Sequence, residues 1–124
     1  MAQELSRLAA RLAETRSGIA GLARSRERIQ AQMTALEQQE ANLGRQAAVA
    51  RRFGREDLAQ VARARQQEAQ SQREELAAQL GQLLDAEAKL TIAAQRLQAR
   101  RARIYWSGLQ AQGGGDPFDA SGRP

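Results

Sequence analysis

The stretch ARRFGREDLAQVA, residues 50–62, interrupts an otherwise continuous helical pattern near the middle of the chain. Gly54 favours the left-handed backbone conformation that ends a helix, and the arginines at 51–52 place positive charge in the turn before it. The acidic pair at 56–57 places negative charge in the first turn of a new helix, where the helix dipole favours it. The stretch therefore predicts a short tip at 53–55 between two helices.

The residues before the tip repeat with a coiled-coil period. Apolar or small side chains recur at alternating steps of three and four, a narrower pattern than the apolar stripe of a globular helix. Only three positions of the series are polar. The series is Leu5, Leu8, Leu12, Thr15, Ile19, Leu22, Arg26, Ile29, Met33, Leu36, Glu40, Leu43, Ala47 and Ala50.

The residues after the tip give a second seam. Starting from Leu58, the pattern predicts a stutter between Leu76 and Leu80, where two steps of four follow each other and the supercoil relaxes. Its first half is poor in large apolar residues and is predicted to pack more loosely. The series is Leu58, Ala62, Arg65, Ala69, Gln72, Leu76, Leu80, Leu83, Glu87, Leu90, Ala94, Leu97, Arg101 and Ile104.

Two long helical arms joined by a short tip favour an antiparallel hairpin. The predicted fold class is all-α, a long antiparallel helical hairpin or two-helix coiled coil at 1–107, with arms at about 3–52 and 56–107. The Gly- and Pro-containing segment 108–124 is predicted to be a disordered tail, in which Phe118 is a candidate docking residue. The alternative is a parallel dimer of continuous helices in which Gly54 is a tolerated defect.

Folding the arms at the tip also brings polar seam residues together. Arg26 is predicted to face Glu87, and Glu40 to lie near Arg65. Polar pairs inside a coiled-coil seam specify register more than they add stability. These four residues are therefore predicted to fix how the arms align.

Composition restricts the function classes. The chain has no cysteine and no histidine, the commonest general base and metal ligand, and it shows no phosphate-binding loop or metal-ligand spacing. We expect no catalytic or metal site, no cofactor and no small-molecule substrate, and hence no enzyme. No apolar run is long enough to span a bilayer, so a cytoplasmic protein is expected. The net charge of +5 permits acidic partners.

The strongest charge cluster lies near the end of the second arm. Arginine beside tyrosine and tryptophan suits an anionic membrane surface or a phosphate backbone. The alternative is a solvated helix end whose positive charge complements the helix dipole. The cluster consists of Arg96, Arg100, Arg101, Arg103, Tyr105 and Trp106.

The tip motif GREDLAQVARARQQE, preceded by NLGRQAAVARRF, resembles the hairpin tip of the phage-shock protein A family. That family includes the plastid vesicle-inducing protein and belongs to the bacterial branch of the ESCRT-III superfamily. The resemblance covers roughly residues 1–106 and corresponds to a short, hairpin-only version of the family. The predicted tip residues are Phe53, Gly54, Arg55, Glu56, Asp57 and Leu58, and Ala59 completes the match.

The resemblance implies a structural protein of the bacterial envelope-stress response. Such a protein would act by helical assembly, with itself or with a full-length relative, at the inner face of the cytoplasmic membrane. Two other functions stay open: a soluble coiled-coil adaptor without a membrane role, and a basic rod that binds nucleic acid. The last is the weakest, because the arms lack aromatic residues on which bases could stack.

Overall fold

A computed structural model describes residues 2–113, and within them the chain forms two α-helices and no strand. Helix α1 is Ala2–Arg52 and helix α2 is Glu56–Gly113. They form the predicted antiparallel hairpin, with a tip at 53–55. Helix α2 extends beyond the predicted boundary at 107, and the rest of the predicted tail, with Phe118, lies outside the described residues.

The tip joins the two helices through three residues, 53–55. The amide of Gly54 donates to the carbonyl of Arg51 at 3.0 Å, and the amide of Arg55 donates to that of Ala50 at 2.8 Å. These two bonds form a Schellman motif, which satisfies the last carbonyls of α1. The carbonyl of Arg55 then accepts the first bond of α2, from Ala59 at 3.1 Å. Arg55 therefore belongs to both helix ends.

Gly54 should be intolerant of a branched side chain because its φ is +71°. A methyl group at this position would have no other atom within 4 Å, so the cost of Gly54→Val is conformational strain and not a clash. We expect a loss of about 1 to 2 kcal/mol in the free energy of unfolding, measured by urea denaturation. Gly81→Ala is the control, because Gly81 is mid-helix with equally open space and should gain up to about 1 kcal/mol. An unchanged stability of Gly54→Val would contradict the turn.

The helices divide into two compact units along their length. The tip unit comprises Gly21–Glu87, and its buried residues are small near the turn. Ala59 is fully buried, at 0% exposure, and the other buried positions in this unit are Leu43, Ala47, Ala62 and Ala69. Small side chains at the seam leave room for the two helices to lie close together, so this part of the hairpin is packed mainly by alanine, together with Leu43.

The seam observed in α2 differs from the predicted seam. The less exposed residues follow an unbroken alternation of three and four, so the predicted stutter is wrong. Leu58, Arg65 and Gln72 are exposed, Leu58 by 48%. The seam instead uses the residue that follows each of them, whereas Ala62, Ala69 and Leu76 keep their predicted seam positions. The observed series is Ala59, Ala62, Gln66, Ala69, Arg73, Leu76, Leu80 and Leu83.

The terminal unit comprises, among the described residues, 2–20 of α1 and 88–113 of α2. Leu8 and Leu12 are its buried apolar side chains. Gly18 faces Leu90, whose Cδ1 would lie 3.3 Å from a Cβ built on the glycine. The antiparallel segments of this unit therefore pack by leucine, with one close approach at a glycine.

Candidate functional site

Two ion pairs cross the seam of the tip unit. Arg26 of α1 donates through Nε to Glu87 Oε2 of α2 at 3.1 Å, the pairing expected from the sequence. Both side chains are half-buried or more. The pair joins residues that are far apart along the chain, so it depends on the alignment of the two helices.

The second pair differs from the prediction. Glu40 accepts from Arg73, with Nε–Oε2 at 2.7 Å and Nη2–Oε1 at 3.3 Å, and not from Arg65. Arg65 is exposed beside the seam because Gln66 takes the seam position that the sequence pattern assigned to Arg65. Glu40 raises the pKa of the Arg73 guanidinium, chiefly through this hydrogen bond. Gln66 completes the polar layer by donating to the backbone carbonyl of Glu40 at 3.1 Å.

The predicted tip residues are all exposed. Arg55 donates through Nε and Nη2 to the Asp57 carboxylate, both at 3.2 Å. This interaction, followed by the backbone N–H of Leu58, holds the pKa of Asp57 below its usual value. Arg51 lies 3.5 Å from Glu56 across the turn. The charged residues of the tip therefore form ion pairs with each other, and these pairs stabilise the turn between the helices.

An apolar groove lies beside the tip, between the end of α1 and the start of α2. We call it the tip groove. Its exposed apolar side chains come from both helices, and its lining contains three arginines and no acid. The apolar members are Val49, Phe53, Leu58 and Val61, and the arginines are Arg45, Arg55 and Arg65.

The predicted basic and aromatic cluster occupies two faces of α2 in the terminal unit. Arg96, Arg100 and Arg103 are spaced by four and three residues and share one face. Arg101 and Tyr105 are spaced by four on a different face. The structure therefore separates a basic face from a mixed one, although the six residues are adjacent in sequence.

The mixed face borders a second groove, which we call the terminal groove. Leu5 and Ala9 of α1 form one wall, and Ala102 and Tyr105 of α2 contribute to the other. Tyr105 is 56% exposed, and Trp106, which also lines the groove, is 61% exposed. Arg101 is the charged group in its lining and forms no ion pair with any residue of the described range.

The basic face includes residues of α1 that the sequence interpretation missed. Arg7 and Arg11 line one polar groove together with Arg100, whose Nη2 lies 3.5 Å from Glu4 Oε1. The four-residue spacing of Arg7 and Arg11 in the sequence places both on one face of α1. That this face lies beside Arg100 follows only from the alignment of α1 with α2. Five arginines of the terminal unit thus come from two helices.

No family model, curated protein or solved structure matches this chain significantly. Within residues 2–113, neither helix contains a stretch long and apolar enough to cross a membrane. The same residues hold no cluster of three or more acidic side chains of the kind that could bind a metal ion.

Proposed function

We propose that this chain is a structural protein that binds the surface of an anionic membrane through its terminal unit and acts there by helical assembly. The observation that carries the proposal is the exposure of Trp106 and Tyr105 beside an arginine that has no acidic partner among the described residues. Amphipathic aromatic rings favour the membrane–water interface, and arginine favours lipid phosphates.

The tip motif supports the same proposal, because it resembles that of the phage-shock protein A family. On this proposal the protein works in the bacterial envelope-stress response, at the inner face of the cytoplasmic membrane. Its assembly partner is a second copy or a full-length relative. One weak basic site per chain gives reversible attachment, and assembly of several chains multiplies it into stable binding.

Vesicle binding tests the proposal. At low salt the protein should sediment with vesicles rich in phosphatidylglycerol and not with neutral vesicles, and the Trp106 emission should shift to the blue. Each basic residue near an anionic surface contributes roughly 1 kcal/mol, so Arg101→Glu with Arg103→Glu should weaken binding by about tenfold or more. Both residues are exposed, so the variant should stay folded.

The matched control is Arg63→Glu with Arg65→Glu, which changes the net charge equally but in the tip unit. It should retain most of the vesicle binding. Equal losses in the two variants would mean that binding follows total charge alone. Absence of wild-type binding at low salt would remove the membrane role.

A protein-binding adaptor is the second candidate, and the tip groove is the observation that favours it. Val49, Phe53 and Val61 expose apolar surface there without covering one another from solvent. If the adaptor function is correct, Phe53→Ala should abolish partner capture while vesicle binding stays intact. The membrane proposal instead places the binding surface in the terminal unit.

A further inference from the structure

We propose that the segment 116–119, Asp-Pro-Phe-Asp, docks into the terminal groove of its own chain and competes there with the membrane surface. The docking itself is independent of lipid, whereas its regulatory consequence rests on the proposed function. The proposed occupant supplies one large apolar side chain, Phe118, between two carboxylates, Asp116 and Asp119.

Charge complementarity is the first argument. The sequence from Ala88 to Gly115 contains five basic residues and no acid, and Asp116 is the first acidic residue after Glu87. Arg101 lines the terminal groove without an ion-pair partner in the described range. A carboxylate of the segment placed beside Arg101 would form a charge-assisted hydrogen bond, the strongest kind that an exposed guanidinium can make.

Apolar complementarity is the second argument. The groove is lined mainly by carbon, from Leu5, Ala9 and Ala102 and from the rings of Tyr105 and Trp106. Phenylalanine fills such a groove with a large apolar surface and can pack edge-to-face against either ring. Phe118 is the one large apolar residue that follows Leu109 in the sequence.

Reach is the third argument. Gly113 lies about 10 Å along the helix axis from Trp106, at about 1.5 Å per residue. The five residues from 114 to 118 span up to about 17 Å when extended, at about 3.4 Å per residue. Glycines at 114 and 115 let the chain reverse its direction after the helix. Phe118 can therefore reach the groove of its own chain.

The consequence concerns access. A docked segment covers Trp106 and Tyr105 and neutralises Arg101, which are the groups that the membrane proposal needs exposed. Its carboxylates also repel anionic lipid. The free protein would then bind vesicles weakly, and any event that removes the segment from the groove would expose the full binding surface.

The docking can be measured without vesicles. The chain has no cysteine, so Ala120→Cys carries a single nitroxide label two residues beyond Phe118. The label should quench the emission of Trp106, the single tryptophan, because contact quenching requires close approach. Adding Phe118→Ala should abolish most of that quenching, and Asp116→Asn with Asp119→Asn should reduce it. Phe53→Ala removes the same side-chain type at the tip groove and should leave it unchanged.

Two results would overturn the inference. Quenching that survives Phe118→Ala would show that the label approaches Trp106 without docking. Quenching that weakens as the total protein concentration is lowered would show that the segment binds another copy. Both measurements use the whole protein, and Phe118 follows the described helices in the sequence, so its replacement leaves their seam unchanged.

Vesicles then test the consequence. If the segment covers the groove about nine-tenths of the time, releasing it by Phe118→Ala should strengthen binding to anionic vesicles about tenfold. This variant keeps both carboxylates, so simple charge repulsion predicts no change, and weaker binding would mean that Phe118 itself inserts into lipid. Either of these results contradicts the competition. Quenching without any vesicle binding by wild type or variant would leave the docking in place and refute the proposed function.

Discussion

Replacing Leu12 by alanine should lower the free energy of unfolding by about 2 to 4 kcal/mol, the range for truncating a buried leucine. Leu12 is 2% exposed and lies in the seam of the terminal unit. A two-helix hairpin has no third layer that could move in to fill the cavity. The loss should appear as a lower urea midpoint in far-UV circular dichroism, with the same slope.

Leu58→Ala is the matched control, because it removes the same atoms from a leucine that the sequence pattern assigned to the seam. The structure leaves Leu58 48% exposed, so its truncation should cost less than about 1 kcal/mol. Similar losses for both variants would mean that Leu58 is buried and that the α2 seam begins where the sequence pattern placed it.

Reversing the charge at Glu40 should lower the melting temperature on the order of 10 °C. Glu40→Arg removes the two-point contact with Arg73 and leaves two guanidinium groups facing each other in a half-buried seam. The two like charges then repel each other, and the guanidinium of Arg73 stays partly desolvated without its carboxylate partner. Thermal unfolding followed by circular dichroism measures the effect.

The second mutation identifies the partner. Adding Arg73→Glu to Glu40→Arg restores an opposite-charge pair and should recover most of the lost melting temperature. Adding Arg65→Glu instead should recover little, because Arg65 is exposed beside the seam. Rescue by Arg65→Glu and not by Arg73→Glu would support the register expected from the sequence over the one described here.

The sequence predicted α1, the tip and the fold class closely, and it misplaced three positions in the first half of the α2 seam. Every α1 seam position is buried or half-buried, as the heptad pattern predicts, and Gly54 has the left-handed φ expected of it. In α2 the sequence pattern assigns the large side chain of Leu58 to the seam, whereas the structure buries the small side chain of Ala59 there. Hydrophobic size is a poor guide where two backbones approach closely, because only small residues fit there.

The residues of the candidate site could be predicted from the sequence, but the surfaces on which they lie could not. Arginines 96–103 and Trp106 stand out in the sequence, and the structure places them on separate faces of one helix. Arg7 and Arg11 join the basic face only through the pairing of α1 with α2, which depends on the register. The charge cluster in the sequence therefore indicated the end of the chain that carries the candidate surfaces, whereas the make-up of each surface depends on how the two helices align.

The hydrogen bonds of the tip restrict how the two helices of this hairpin can change in length. Arg55 completes the last turn of α1 and also begins α2. The connection therefore contains no residue that could compensate for a rotation of one helix relative to the other. One residue inserted there would rotate α2 by about 100° and turn its seam toward solvent. An insertion in one arm between the tip and Glu40 would displace Arg26 from Glu87 and Glu40 from Arg73. The hairpin can therefore be lengthened or shortened between its tip and these ion pairs only by matched whole heptads, added to or removed from both arms together.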